Sequence, residues 1–144
     1  MSGSTKVLLS AILLGAAMTG IGFSAHAQTT GVDAVMVLPG SLQALVHKPL
    51  VLRGTLGNEQ IQMNLRPKVA EDGLEGSYFV FGQGAQILLA GEVDHDDLLM
   101  EESHNGKDVS GEWAGSFKNG VLSGTWSTLD GAVNTPFALQ ITKP

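Results

Sequence analysis

Four copies of one short pattern decide how this chain folds: Leu52-Arg53-Gly54-Thr55-Leu56, Leu74-Glu75-Gly76-Ser77-Tyr78, Val109-Ser110-Gly111-Glu112-Trp113 and Leu122-Ser123-Gly124-Thr125-Trp126. Apolar and polar residues alternate with period two in each, so each reads as a strand with one buried face. The Gly falls on the buried face every time. Glycine at inward positions lets a strand bend sharply, which suits a strongly curved antiparallel meander.

Working outward from these copies, eight strands are expected at 50–56, 60–65, 74–81, 86–93, 97–102, 109–118, 121–128 and 133–142. Gly57-Asn58, Gln83-Gly84, His95-Asp96, Asn105-Gly106, Asn119-Gly120 and Asp130-Gly131 lie between them. Asn-Gly and Asp-Gly are strong hairpin signals, because type I′ turns require positive φ. Treated as two-residue turns, they pair Trp113 with Trp126, Gly115 with Gly124, Phe137 with Gly124, and Leu52 with Met63. The same rule pairs Tyr78 with Leu89, Gly76 with Gly91, Trp113 with Leu98 and Gly111 with Met100. A one-residue slip at any turn would turn a strand inside out, yet all the turns agree on one inward face. The fold class is therefore all-β: an eight-stranded antiparallel up-and-down meander forming a small closed or nearly closed barrel. A two-sheet sandwich is the alternative. Pro136 cannot donate to a ladder, so closure is expected to weaken beside it.

Residues 1–27 read as a secretory signal peptide. Lys6 precedes an apolar stretch from Val7 to Met18, and Ala25-His26-Ala27 is a small-x-small cleavage site. The stretch is shorter than a confident membrane span, although an uncleaved anchor is the competing reading. A periplasmic or secreted location follows. Residues 28–49 form an N-terminal segment, with a short strand or extended piece over Val35-Met36-Val37-Leu38 and one or two helical turns over Leu42 to Val46. Residues 50–144 form the barrel domain.

The chain carries a net charge of −6, and cleavage would remove Lys6 and make it more negative. With its basic residues scattered singly, it is a poor partner for nucleic acid or anionic lipid, and no membrane insertion is expected after cleavage. There is no Cys, which excludes disulfides, a thiol nucleophile and a lipidated N-terminal Cys. Small exported domains often rely on disulfides. This one must rely on packing, so a filled interior is expected.

Glu102 is the most informative single residue. The register turns it inward beside Leu89 and Val109, with Tyr78 on the far side of Leu89. Two strand spacings, about 9–10 Å, separate the Tyr78 and Glu102 backbones, a gap their side chains can bridge. A buried carboxylate there needs donors. Charged residues are rarely buried unpaired, which favours the opposite reading, a Glu102 at a strand end pointing into solvent. Trp113 and Trp126 are cross-strand neighbours that read as core, with a ligand-stacking platform at the barrel mouth as the alternative. The ligand-binding candidates are thus Tyr78, Glu102, Trp113 and Trp126.

Asp94-His95-Asp96-Asp97 and Glu101-Glu102 group acids around a His, but without the spacing of a calcium loop. Turns use Asp for backbone reasons alone, and His95 and His104 fall at opposite barrel ends. No metal and no cofactor are expected. The chain has no Gly-x-Ser-x-Gly elbow, HExxH helix, phosphate loop or dinucleotide fingerprint, so no catalytic residue is assigned. Phe79, Phe81, Leu88 and Leu99 face outward. Such a patch calls for a cover or an interface. Val35 to Val46 is the expected cover, and self-association is the alternative.

Gly76-Ser77-Tyr78, Gly111-Glu112-Trp113 and Gly124-Thr125-Trp126 resemble small exported bacterial β-meander proteins of unassigned function that repeat G-x-Y and G-x-W. The general plan also resembles lipocalin- and avidin-type barrels and the periplasmic lysozyme inhibitors. The missing Cys departs from many inhibitors, no lipocalin signature is present, and no functional residue carries over. The expectation is a non-enzymatic binding module for a protein or a small ligand. An envelope-associated structural module is the alternative, and an enzyme using Glu102 comes third. An open interior lined by Tyr78, Glu102 and a Trp would favour small-ligand binding or catalysis. A filled interior would favour recognition of a protein, or the envelope role.

Overall fold

The computed structural model describes residues 40–142; residues 1–27, read above as a signal peptide, and Val35–Leu38 lie outside them. A single turn of helix, α1 (Leu42–Leu45), precedes eight strands: β1 (Leu50–Leu56), β2 (Glu59–Pro67), β3 (Leu74–Val80), β4 (Gln86–Asp94), β5 (Asp97–Ser103), β6 (Gly111–Lys118), β7 (Val121–Ser127) and β8 (Asn134–Ile141). Each strand pairs antiparallel with the next, and β1 pairs with β8, so the sheet is a closed up-and-down barrel and not a sandwich. Closure removes the unpaired edges that invite aggregation. The β1–β8 ladder runs from Leu52–Ile141 to Leu56–Phe137 and stops at Pro136. The Pro136 carbonyl still accepts from the Gly57 N–H at 2.8 Å.

The Asn119-Gly120 hairpin has the expected register, with Trp113 opposite Trp126 and Gly115 opposite Gly124. Both turn residues have positive φ, 52° and 82°, as a type I′ turn requires. The turns at 57–58 and 130–131 also give the expected pairs. Two turns differ. After Val80 the chain uses residues 81–85, with Gly82 at φ 85° closing a turn in which the Gln83 N–H reaches the Val80 carbonyl. Tyr78 therefore faces Ile87, and Gly76 faces Leu89. At 104–110 the Asn105 side-chain oxygen accepts from the N–H groups of Lys107 and Asp108, both at 2.9 Å. This side-chain turn replaces the two-residue hairpin and pairs Trp113 with Met100, and Gly111 with Glu102. Each shift is two residues, so every inward residue stays inward.

The inner face is apolar and the outer largely polar, the reverse of a membrane-spanning barrel. Leu52, Met63, Met100, Trp113, Phe137 and Leu139 fill the interior, each at most 3% exposed. Helix α1 adds to this core. Its Leu42 and Val46 are buried in the same cluster, and the Ser41 hydroxyl accepts from the Ala44 N–H as its N-cap. The Leu42 N–H donates to the Asp96 carboxylate at 2.9 Å, and the Gln43 N–H donates to the His95 carbonyl at 2.8 Å. The helix is thus tied to the β4–β5 turn, where it caps one end of the barrel. It does not cover the outer patch: Phe81 is 48% exposed and Leu88 46%. Leu99 is not part of that patch. Leu88 pairs with Ser103, four residues further along β5 and roughly 13 Å away.

The inward glycines are positions of close approach. A Cβ on Gly111 would meet the Trp126 indole at 2.6 Å, a collision with an aromatic ring as expected. A Cβ on Gly124 would instead strike backbone, the Ala114 carbonyl oxygen and the Gly115 Cα. A ring can swing away, whereas a paired strand cannot without losing its ladder. Overpacking usually costs about 1–3 kcal/mol. Gly124→Val is expected to reach or exceed the top of that range, although Val is the better strand former. Urea unfolding checks this, and an unchanged midpoint would contradict the inward placement of Gly124.

Candidate functional site

Glu102 is 2% exposed, so it does not point into solvent. It sits near the end of β5 with its side chain turned into the barrel, and three elements supply donors. The Tyr78 hydroxyl on β3 donates to Oε2 at 2.8 Å. The Trp113 indole N–H on β6 donates to the same oxygen at 3.2 Å. The Ser110 hydroxyl, on the loop between β5 and β6, donates to Oε1 at 3.1 Å. The Ser110 N–H also donates to the Glu102 carbonyl at 2.8 Å. A buried charge is tolerated when its lone pairs are satisfied in this way. His104 Nε2 lies 4.0 Å from Oε1, but its side chain is 63% exposed.

Aromatic contacts surround this carboxylate. The Tyr78 and Trp113 rings meet edge to face with centroids 5.0 Å apart. Trp113 also packs on Phe137 at 4.9 Å. Such pairs add about 0.5–1.5 kcal/mol beyond burial. Tyr78, Glu102 and Trp113 therefore form one cluster; the sequence offered the approach of Tyr78 to Glu102 but read Trp113 as a partner of Trp126. Trp126 is next to Trp113 in the sheet but does not join the hydrogen bonds. Its half-buried ring lies against Gly111, and its indole N–H is enclosed without an acceptor.

Burial raises the Tyr78 phenol well above its usual range; the hydrogen bond to Glu102 and the charges of Glu102 and Glu59 add to the shift. The cluster can hold three walls of the barrel together. Its carboxylate already has its donors, and Glu102 also stands among the residues that line a neighbouring groove. Of the acidic run at 94–97, Asp96 caps α1 and Asp94 contacts the His95 ring at 2.6 Å.

The concave surfaces lie outside. A groove of about 740 Å³ crosses the outer wall of β2 to β5, over Asn64, Ser77, Gln86 and Leu88, with Gly106 and Lys107 of the β5–β6 loop on its rim. The inward-facing Leu65, Leu89 and Glu102 also contribute to its lining. A second, of about 890 Å³, lies beside α1 between Lys68 and Leu99. Ser110 and the outer groove were not foreseen. The alternation put Ser110 in a strand over 109–118 on the polar face, but β6 begins only at Gly111, and Ser110 lies in the preceding loop. The groove had a signal in Asn64, which follows Gln60 and Gln62 along the polar face of β2. Comparison with protein families, curated proteins and solved structures finds no match to this chain.

Tyr78 is the one tyrosine in the sequence, so phenolate absorbance reports it alone. A raised phenol pKa means that the neutral form is favoured in the fold. Its stabilisation is complete below the unfolded pKa and is lost as pH rises above it. The native protein is expected to show no phenolate up to about pH 11, whereas the urea-unfolded chain titrates near 10. Native titration near 10 would show that the hydroxyl is not held by Glu102.

Proposed function

We propose that this chain is an exported, non-enzymatic binding module that works through the outer wall of its barrel. The leader-like residues 1–27 support export, and the apolar interior with a polar exterior supports a barrel that does not insert in a membrane. The observation that carries the reading is the filled interior. Small barrels hold either side chains or a ligand, and here Trp113, Tyr78 and Phe137 occupy the space a ligand would need. The Glu102 carboxylate, tied to three donors, supports a structural role for that residue over acid–base catalysis.

The outer wall supplies what the interior lacks. It presents the Phe79 and Phe81 rings, 5.3 Å apart and edge to face, a half-exposed Leu88, and the groove beside them. The same half-exposed apolar side chains favour a second reading, an envelope-associated module that associates through Phe79, Phe81 and Leu88.

A photo-reactive benzoylphenylalanine placed at Gln83 or Lys107, on the groove side, is expected to crosslink a discrete partner in the exported protein's own compartment. The same probe at Thr125, on the far wall, is expected to give no adduct. Intact mass on the recovered protein should show a chain beginning at Gln28. Adducts at neither wall, or at Thr125 alone, would contradict outer-wall binding.

A further inference from the structure

We infer that the outer wall of β1 to β4 binds a carbohydrate, with a sugar ring seated on Phe81 and its hydroxyls held by the side-chain amides around it. This rests on the outer-wall reading above and names the ligand class.

Strand register sets out the surface. Arg53, Gln62, Phe79 and Gln86 form one outward row across four strands. On one side of it Gln60 and Phe81 are adjacent, joined by the Phe81 N–H to Gln60 carbonyl bond at 2.9 Å. On the other side Asn64, Ser77 and Leu88 stand in register and line the groove. The chain has 14 Asp and Glu, yet none stands in these three rows. Acids begin at the rim, where Glu59 accepts from the Gln83 amide at 3.1 Å and Glu75 is paired with Arg66 at 2.8 Å.

Amides, one guanidinium and exposed aromatic carbon are left. Each amide offers both donors and an acceptor, as each sugar hydroxyl does. A hydroxyl-rich ligand can therefore exchange its water bonds for amide bonds without burying a charge. The amides are already ordered. The Arg53 Nε–H donates to Gln62 at 2.8 Å, the Gln62 amide donates to Asn64 at 3.3 Å, and the Gln86 amide donates to the Ser77 hydroxyl at 2.6 Å. Among the described residues these bonds leave the terminal guanidinium nitrogens of Arg53, the Asn64 amide nitrogen and the Gln86 carbonyl oxygen without a hydrogen-bond partner. Side chains fixed before binding lose less entropy on binding. Phe81, 48% exposed with the Arg53 guanidinium carbon 6.0 Å from its ring centroid, supplies an apolar face for the C–H face of a sugar ring. A protein partner would gain from the same aromatics but would leave this density of amides harder to satisfy.

The test is NMR on the uniformly labelled mature protein, titrated separately with maltohexaose, chitohexaose and an oligogalacturonate. At least one is expected to shift the side-chain amide signals of Gln60, Gln62, Asn64 and Gln86 and the Arg53 Nε–H signal. The indole signals of Trp113 and Trp126 should stay in place. Phe81→Ala is expected to weaken binding at least about tenfold, a loss of ~1.4 kcal/mol. Gln62→Ala should weaken it as well, and unchanged melting temperatures would show both variants folded. The proposal is overturned by no shift with any of the three up to about 10 mM, tenfold above a millimolar Kd. Shifts on the β6–β7 wall, or undiminished binding by Phe81→Ala, overturn it too. Protein adducts at Gln83 or Lys107 together with silent sugars would remove the saccharide and leave outer-wall binding standing. Silence in both experiments would remove both.

Discussion

The buried carboxylate of Glu102 is the interaction on which the rest of this barrel depends. A side chain that would normally seek water is held inside because a phenol, an indole and a hydroxyl from three different elements donate to it. Removing one donor leaves buried lone pairs without partners, a cost of about 1–3 kcal/mol in typical cases. The geometry also fixes its neighbours. Tyr78 and Trp113 must aim their polar atoms at one oxygen, and that sets their edge-to-face contact and the seat of Phe137. In a chain without disulfides, such a satisfied polar cluster gives the core a single arrangement where apolar packing alone would tolerate several.

A second constraint follows from scale. Eight strands of seven to nine residues enclose a space that a Trp, a Tyr, two Met and several Leu fill. Inward glycines allow strands to approach until there is no room for a Cβ, as at Gly124. The same bending leaves concave surface on the outside, between β2 and β5. On the outer wall, Gln60, Gln62 and Asn64 of β2 carry amides where much of this acidic chain carries charges.

Most of the fold was legible in the sequence because period-two alternation and Asn-Gly turns are local signals that constrain one another. Asn119-Gly120 fixed the pairing of β6 with β7 without ambiguity. The turns at 83–84 and 105–106 misled for a physical reason. In the first the positive φ belongs to Gly82, and in the second an Asn side chain bonds to its own backbone, so both loops grow and the pairing slides by two. The face of every residue survived, because two is the period of a strand. Glu102 and Tyr78 were legible as inward neighbours. That Glu102 is buried and not solvated depended on Trp113 and Ser110, and the alternation read Ser110 as an outward strand residue, whereas it lies in the loop before β6. The position of α1 was also beyond the sequence, since Leu42 and Val46 suit either a barrel end or an outer patch. The hydrogen bond from the Leu42 N–H to Asp96, 54 residues away, decides between them.

Hydrogen exchange of the two indole N–H groups, followed by NMR in the native protein, tests the central claim most directly. Both indole N–H groups are enclosed, but the Trp113 N–H is bonded to Glu102, whereas the Trp126 N–H belongs to a half-buried ring and has no acceptor among the described residues. Trp113 should exchange only through global unfolding, at the rate of the slowest core amides, and Trp126 should exchange much faster. Fast exchange at both indoles would contradict a barrel closed around Glu102.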